Sequence, residues 1–168
     1  MNELGQLLQH LKQPEYVHVL LNPLPVYALS MGVLALAIAL GIRHKQTQIV
    51  ALILVTIGAG SAWPVIHFGK RGYDRVYSMS NSDAQRWLDI HQDRADVCKW
   101  LFYATAAVAL AAIVAHGTFG RAAMPLAVLS LVLAVCSVAA AGWISHAGGQ
   151  VRHSEFRDTP PPLSGHDD

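Results

Sequence analysis

Four long apolar stretches, separated by polar segments, dominate the hydropathy pattern of the chain. They cover residues 17–41, 48–69, 97–116 and 122–146. A helix needs about twenty mostly apolar residues to cross the hydrocarbon core of a bilayer, and each stretch is long enough. The pattern therefore predicts an all-α integral membrane protein, in which residues 1–156 form one domain, an up-down bundle of four helices.

The second and third stretches are joined by the longest connection, residues 70–96. Within it, Ser82 and Gln85 have the spacing of a capping box, which marks the start of a helix. From Trp87 onward, apolar and aromatic residues recur every three or four positions. We therefore expect an extended third helix that begins at about Asp83 and passes through the third stretch without a break.

The two ends of the chain lie outside the apolar stretches. The N-terminal segment is polar, but four leucines at helical spacing predict a short helix on the membrane surface: Leu4, Leu7, Leu8 and Leu11. Residues 157–168 read RDTPPPLSGHDD, a composition that cannot form a hydrophobic core. We expect this C-terminal tail to be disordered or bound to a partner.

The composition agrees with that of a membrane protein. Only 14% of the 168 residues are charged, whereas soluble domains carry about 25%. The net charge is +1 and the basic residues form no stripe, which argues against nucleic acid as a partner. Membrane lipid is instead the predicted surrounding of the four helices.

Nine histidines are many for this length, and their distribution is uneven. In an up-down bundle, the ends of the four helices alternate between the two membrane sides, and five histidines fall on one side: His18, His67, His91, His146 and His153. All four tryptophans share that side, although interfacial aromatic belts normally occur at both surfaces. Because ionisable groups at membrane depth are usually functional, the histidine-rich side is predicted to hold a site.

Three kinds of chemistry fit this arrangement. Haem b needs two neutral imidazoles from different helices and a flat slot between them. A zinc, copper or non-haem iron site would use the same histidines, normally with a carboxylate. A quinone or proton site would need no metal. Haem ranks first, because the histidines lie on separate helices without the tight local spacing of an HxxxH or HExxH motif.

Arginines and small residues complete the candidate site. Three arginines are candidates for pairing with haem propionates: Arg71, Arg94 and Arg152. Small residues at 58–62 and 139–142 lie near His67 and His146 and would open a slot, although such residues also let helices pack closely. The sequence thus leaves two interpretations of the small residues. No internal repeat is evident.

Gly148 and Gly149 follow His146 at the end of the fourth stretch. Glycine is unfavourable inside helices, so we expect this pair to end or bend the fourth helix. The turn would then fold His153 back over the site, as a partner of the ligand or as the ligand of a second cofactor.

Three segments carry a family resemblance. They are ISHAGGQVRHSEF at 144–156, HVLLNPLPVYAL at 18–29 and IHQDRADVCKW at 90–100. Together they resemble motifs of the bacterial four-helix membrane family catalogued as Domain of Unknown Function 2231, which ends its fourth span with a pattern like AHxGGxLTHG. The chain departs from the family where Pro23 replaces a second histidine of the first motif and where His91 lacks the usual Arg-Trp.

The resemblance implies a multi-pass protein of the bacterial plasma (inner) membrane. It also implies a redox setting, because family members occur joined to c-type cytochrome or Rieske-like domains. That setting favours a periplasmic location for the histidine-rich side. The distribution of lysine and arginine near the helix ends favours the cytoplasm instead, so the orientation stays open.

His146 and His91 are the first choice for an axial ligand pair, because both the topology and the resemblance support them. His18 and His67 follow, and His153 is the outside choice. For a metal site, the candidate ligands are the same four: His146, His91, His18 and His67.

The predicted function is that of a membrane-embedded b-type cytochrome subunit. One haem b, or two, would pass electrons near one membrane face within a larger redox complex. The predicted partners are other redox subunits such as a c-type cytochrome, with quinone as a further candidate. Two alternatives stay open: a membrane anchor subunit without a cofactor, and a membrane protein with a histidine-ligated zinc, copper or iron. An electron-transfer subunit is favoured over an independent enzyme.

Overall fold

The computed structural model describes residues 2–157, and these are helical with no β-strand. Seven α-helices are followed by a short 3-10 helix at Ser154–Phe156. The α-helices are α1 (Glu3–His10), α2 (Pro14–Leu21), α3 (Pro23–Ile42), α4 (Lys45–Gly60), α5 (Ala62–Ser78), α6 (Ser82–Thr118) and α7 (Gly120–Arg152). The prediction of an all-α helical bundle is confirmed.

Four helical segments are long and apolar enough to cross a membrane: Pro14–Ile42, Lys45–Ser78, Ser82–Thr118 and Gly120–Arg152. The first segment consists of α2 and α3, and the second consists of α4 and α5. Their number and order match the four apolar stretches of the sequence. The fold therefore fits a multi-pass membrane protein.

The extended third helix is confirmed, since α6 runs unbroken from Ser82 to Thr118. Its cap differs from the prediction. The side chain of Asn81 accepts a hydrogen bond from the Ala84 amide at 2.9 Å, and the Gln85 side chain donates to the Tyr77 carbonyl rather than closing a capping box. Asn81 is an equally good capping residue and stands one position earlier.

The predicted long connection between the second and third stretches is wrong. Helix α5 continues to Ser78, so only residues 79–81 link it to α6. Charged residues end the apolar run after Gly69 without ending the helix. The reason is that one face of α5 remains packed while its polar residues are exposed, as in any amphipathic helix.

The expectation that Gly148 and Gly149 end the fourth helix is also wrong, because α7 passes through both and ends at Arg152. Beyond that end, the Arg157 guanidinium donates to the carbonyls of Gln150 and Val151 at 2.7 and 3.1 Å. Arg157, which begins the predicted tail, is thus bound to a helix terminus. Residues 158–168 lie outside the described part of the chain.

The chain packs as two compact units. One consists of Asn22–Trp63 and Cys98–Ala141, and we call it the apolar unit. The other consists, within the described part of the chain, of residues 2–21, 64–97 and 142–157, and we call it the histidine unit.

In the apolar unit, α3 and α4 form a tightly packed antiparallel pair. A Cβ added at Gly58 would lie 2.7 Å from the amide nitrogen of Leu29, and one at Gly32 would lie 2.9 Å from the Val55 side chain. Between the parts of α6 and α7 in this unit, the buried hydroxyls of Thr105 and Ser137 are 2.8 Å apart. Small residues and buried hydroxyls are typical of helix packing in membranes.

In the histidine unit, charged and polar pairs connect the helices. Lys70 on α5 forms an ion pair of 2.8 Å with Asp96 on α6. The Tyr73 hydroxyl of α5 donates to Asp89 of α6. These pairs come from segments whose hydropathy falls below that of the four stretches. They hold α5 against the first turns of α6.

Candidate functional site

His18 lies on α2 and is held by two groups of α5. Its Nδ1 is 2.8 Å from the carbonyl oxygen of Val65, and its ring covers Gly69, where an added Cβ would lie 2.9 Å from Nδ1. A carbonyl oxygen only accepts, so Nδ1 must carry the proton. In the neutral ring, Nε2 is then left with a free lone pair, which is the form that binds a metal.

His91 on α6 is held by α7 in the same way. Its Nδ1 is 3.0 Å from the carbonyl oxygen of Ile144, and its ring covers Gly148 at 3.1 Å from the position of an added Cβ. The same argument places the proton on Nδ1. Each of these histidines is therefore fixed by a carbonyl and by a glycine four residues later. We call each such arrangement a histidine dock.

The two docked imidazoles lie beside each other. Their ring centroids are 6.2 Å apart and their planes cross at 81°. Both residues are partly buried. The structure thus brings together histidines from the helical segments Pro14–Ile42 and Ser82–Thr118, with Nδ1 of each ring donating to a carbonyl.

The docks share a short sequence pattern that sequence reasoning missed. Residues 65–69 read VIHFG, and residues 144–148 read ISHAG. Each has an aliphatic residue that supplies the carbonyl, a histidine two positions later and a glycine four positions later. Five residues are too few to be recognised as an internal repeat. The pattern can be recognised only from the structure, in which a histidine of another helix contacts each of the two segments.

His67 and His146 occupy the middle of the two patterns, and both are exposed. Successive helical residues are rotated by about 100°, so two positions amount to about 200°. A side chain two positions from both the carbonyl and the glycine therefore points to the opposite side of the helix. The His146 ring packs edge-on against Trp87, with centroids 6.1 Å apart, and the His67 ring contacts Phe68. The ring beside His91 is that of His18.

His153 is exposed and lies just beyond the end of α7. Its Nδ1 donates to the Glu155 carboxylate at 2.9 Å, and its ring lies 4.8 Å from that of Phe156. The Glu155 pKa is lowered by its own backbone amide and by the hydrogen bond from His153. The contacts of His153 are therefore with its own neighbours in the chain.

The three candidate arginines differ in their surroundings. Arg94 donates to the Trp143 carbonyl at 2.7 Å, and its guanidinium lies 4.4 Å from the centroid of the Trp143 ring. Trp143 directly precedes Ile144, so this contact joins the same turn of α7 that holds His91. Arg71 and Arg152 are exposed.

Within residues 2–157, no three His, Cys, Asp or Glu side chains converge on one point in the way a metal ion would require. The donor set that does converge is a pair of imidazoles. Two neutral imidazoles with Nδ1–H held by backbone carbonyls are the axial donors that a haem iron takes. A pair of imidazoles from two helices is the kind of donor set that bis-histidine haem proteins use.

The small residues near the candidate histidines differ in what surrounds them. Gly58 provides close packing, as the short distance to Leu29 demonstrates, which agrees with the packing interpretation. Gly60 and Gly142 have open space where a Cβ would be. Among the glycines that the structure describes, only Gly69 and Gly148 are covered by imidazole rings, and neither belongs to the small-residue clusters noted in the sequence.

No protein-family model matches the chain, and no curated protein or solved structure is similar to it. The resemblance to the four-helix family stays a prediction.

Proposed function

We propose that the chain is a membrane-embedded b-type cytochrome subunit in which His18 and His91 are the axial ligands of one haem b. The observation that carries this proposal is the docked imidazole pair, with centroids 6.2 Å apart and each Nδ1 held by a carbonyl. The sequence alone favours the pair of His146 and His91. We now prefer the pair of His18 and His91.

The ring separation is one that two imidazoles would have if both held the same iron. A metal binds imidazole nitrogen at about 2.0–2.1 Å, and the nitrogen lies roughly 1 Å from the ring centroid, so two opposed imidazoles have centroids roughly 6 Å apart. Two imidazoles of a tetrahedral site would have centroids about 5 Å apart. The value of 6.2 Å agrees with the opposed arrangement.

The chain itself holds and orients the ligands. Each Nδ1–H is donated to a neutral carbonyl, so each ligand keeps the character of a neutral imidazole. A carboxylate in place of the carbonyl would give a different redox potential. Haem b supplies reversible one-electron chemistry when bound. Arg71 and Arg152, both exposed, would hold the propionates, whereas Arg94 positions α7 through Trp143.

Electron transfer through this subunit requires partners. We propose a second redox subunit, such as a c-type cytochrome, with quinone as an alternative partner, in the inner membrane of a bacterium. The chain is mostly membrane helix, and the described residues hold no soluble catalytic domain. An electron-transfer role within a larger complex suits this architecture better than an independent enzyme does.

A second candidate function is a membrane anchor without a cofactor. One observation favours it: the Nδ1 hydrogen bonds of His18 and His91 each join two helices. Under this alternative, the histidines would be structural donors only.

The proposal is tested by purifying the full chain in mild detergent from haem-replete cells. We expect a red protein whose reduced spectrum is that of a six-coordinate b-type cytochrome, and that does not bind carbon monoxide because both axial positions are filled. Elemental analysis runs in parallel. A colourless protein with zinc or copper would support a metal site, and a colourless protein without metal would support the anchor; either result contradicts the haem proposal.

A further inference from the structure

We infer that Gly69 and Gly148 are positioning residues, which uncover a backbone carbonyl for each axial imidazole and thereby fix the angle between the two ring planes. The inference rests on the proposed function for its redox consequences. The docking geometry itself is a property of the chain and can be measured without haem.

The role of glycine follows from helix geometry. In an α-helix each Cα–Cβ bond tilts toward the N-terminus, so the side chain of a residue covers the turn that precedes it. The carbonyl of Val65 lies one turn before Gly69, and that of Ile144 lies one turn before Gly148. With no side chain at the glycine, the carbonyl is open to a donor from another helix.

The carbonyl has the capacity for this second bond. Within the helix it accepts the amide of the residue four positions later, which uses one of its two lone pairs. The second lone pair accepts Nδ1–H of the docked histidine. In both docks the nearest imidazole atom lies 2.9–3.1 Å from the place that a Cβ added at the glycine would occupy. A side chain there would have to displace the ring.

Other close glycines of the chain contact different groups. A Cβ at Gly72 would meet the backbone of Glu15, and one at Gly32 would meet the Val55 side chain. These glycines let helices approach, whereas Gly69 and Gly148 each accommodate an imidazole. The duplication of the dock on two helices argues against a chance contact.

The two docks together set the crossing angle of 81° between the rings. The relative orientation of axial imidazole planes controls the splitting of the iron d orbitals in the low-spin ferric state. Nearly perpendicular planes give a highly anisotropic low-spin EPR signal, and nearly parallel planes give an ordinary rhombic one. The docks therefore predict a highly anisotropic signal in the wild-type protein.

The experiment compares Gly69→Ala and Gly148→Ala with Gly142→Ala, which adds a methyl group to α7 in open space. All three changes raise helix propensity, so loss of helix is not expected. In each dock variant, we expect haem affinity to fall at least about tenfold, as on losing an outer partner of a metal-bound imidazole. We also expect the EPR signal to become less anisotropic. The control should match the wild type.

A haem-free readout separates the two proposals. Histidine labelled with ¹⁵N in the apoprotein should show the Nδ1–H tautomer for His18 and His91 in the wild type and in Gly142→Ala. Gly69→Ala should alter the His18 signal alone, and Gly148→Ala the His91 signal alone. If these signals respond as expected and no haem binds, only the proposed function fails. Dock variants that match Gly142→Ala in the NMR spectra of the apoprotein would overturn the inference, whether or not haem binds.

Discussion

His18 and His91 lie on helix faces that contact another helix, whereas His67 and His146 lie on exposed helix faces. All four lie near the ends of apolar stretches, so the hydropathy pattern does not distinguish them as candidate ligands. The first two rings reach across to a carbonyl and a glycine of another helix, whereas the latter two lie on the exposed side of the helices that provide those groups. The comparison teaches that a position near a helix end does not by itself bring a histidine into contact with another helix, because the helix face on which it lies decides this.

The largest effect is expected from removing a docked imidazole. His91→Ala and His18→Ala should each abolish the six-coordinate spectrum, because the remaining imidazole supplies only one axial bond. Titration of the apoprotein with haem, followed at the Soret band, measures the loss. Added free imidazole should restore a six-coordinate spectrum in either variant. A variant that keeps the wild-type spectrum would break the distinction between the two pairs.

A smaller effect is expected at Arg94, which supports the turn of α7 that holds His91. Replacing it by Gln removes a charge-assisted hydrogen bond of 2.7 Å to the Trp143 carbonyl and the contact with the Trp143 ring. Because such a bond contributes about 1.5–3 kcal/mol at most and this site is partly exposed, we expect about 1 kcal/mol less stability. Thermal unfolding in detergent checks this value. The matched control is Arg86→Gln, at an exposed arginine of the same helix, which should change stability by less.

The smallest effect is expected at the exposed histidines. His67→Ala and His146→Ala should keep the haem spectrum and the EPR signal of the wild type. His146→Ala removes a ring packed on Trp87 and is expected to lower stability slightly, but the axial bonds stay intact. Optical and EPR spectra of both variants are the measurement. Loss of haem in the His146 variant, with haem retained in His18→Ala, would restore the pair that the sequence favoured.

Much of the fold could be predicted from the sequence, because hydropathy alone reports which segments can lie in lipid. The number of apolar helices and the unbroken α6 both follow from residue spacing. The spacing predicts the start of α6 correctly but assigns the cap to Ser82, whereas the side chain of Asn81 provides it. Two adjacent residues with similar capping preference cannot be separated without the geometry.

The site was predictable only in part. Hydropathy placed five histidines on one side, but choosing among them requires knowing which helix faces which. Gly148 was interpreted as a helix breaker, because intrinsic propensity is a local quantity. In the structure its lack of a side chain accommodates the His91 ring, and that contact from a distant part of the sequence outweighs the local preference.

Each of the two docks is formed entirely by residues from one half of the chain. His18, Val65 and Gly69 all precede the turn at residues 79–81, and His91 with its carbonyl and glycine follows it. Peptide continuity across that turn is therefore not needed to form either dock. Two polypeptides divided after Ser80 would each carry one complete imidazole support. Their reassembly would rest on the adjacent rings of His18 and His91 and on contacts such as Lys70 with Asp96. Under the proposed function, one iron would then join two separate chains.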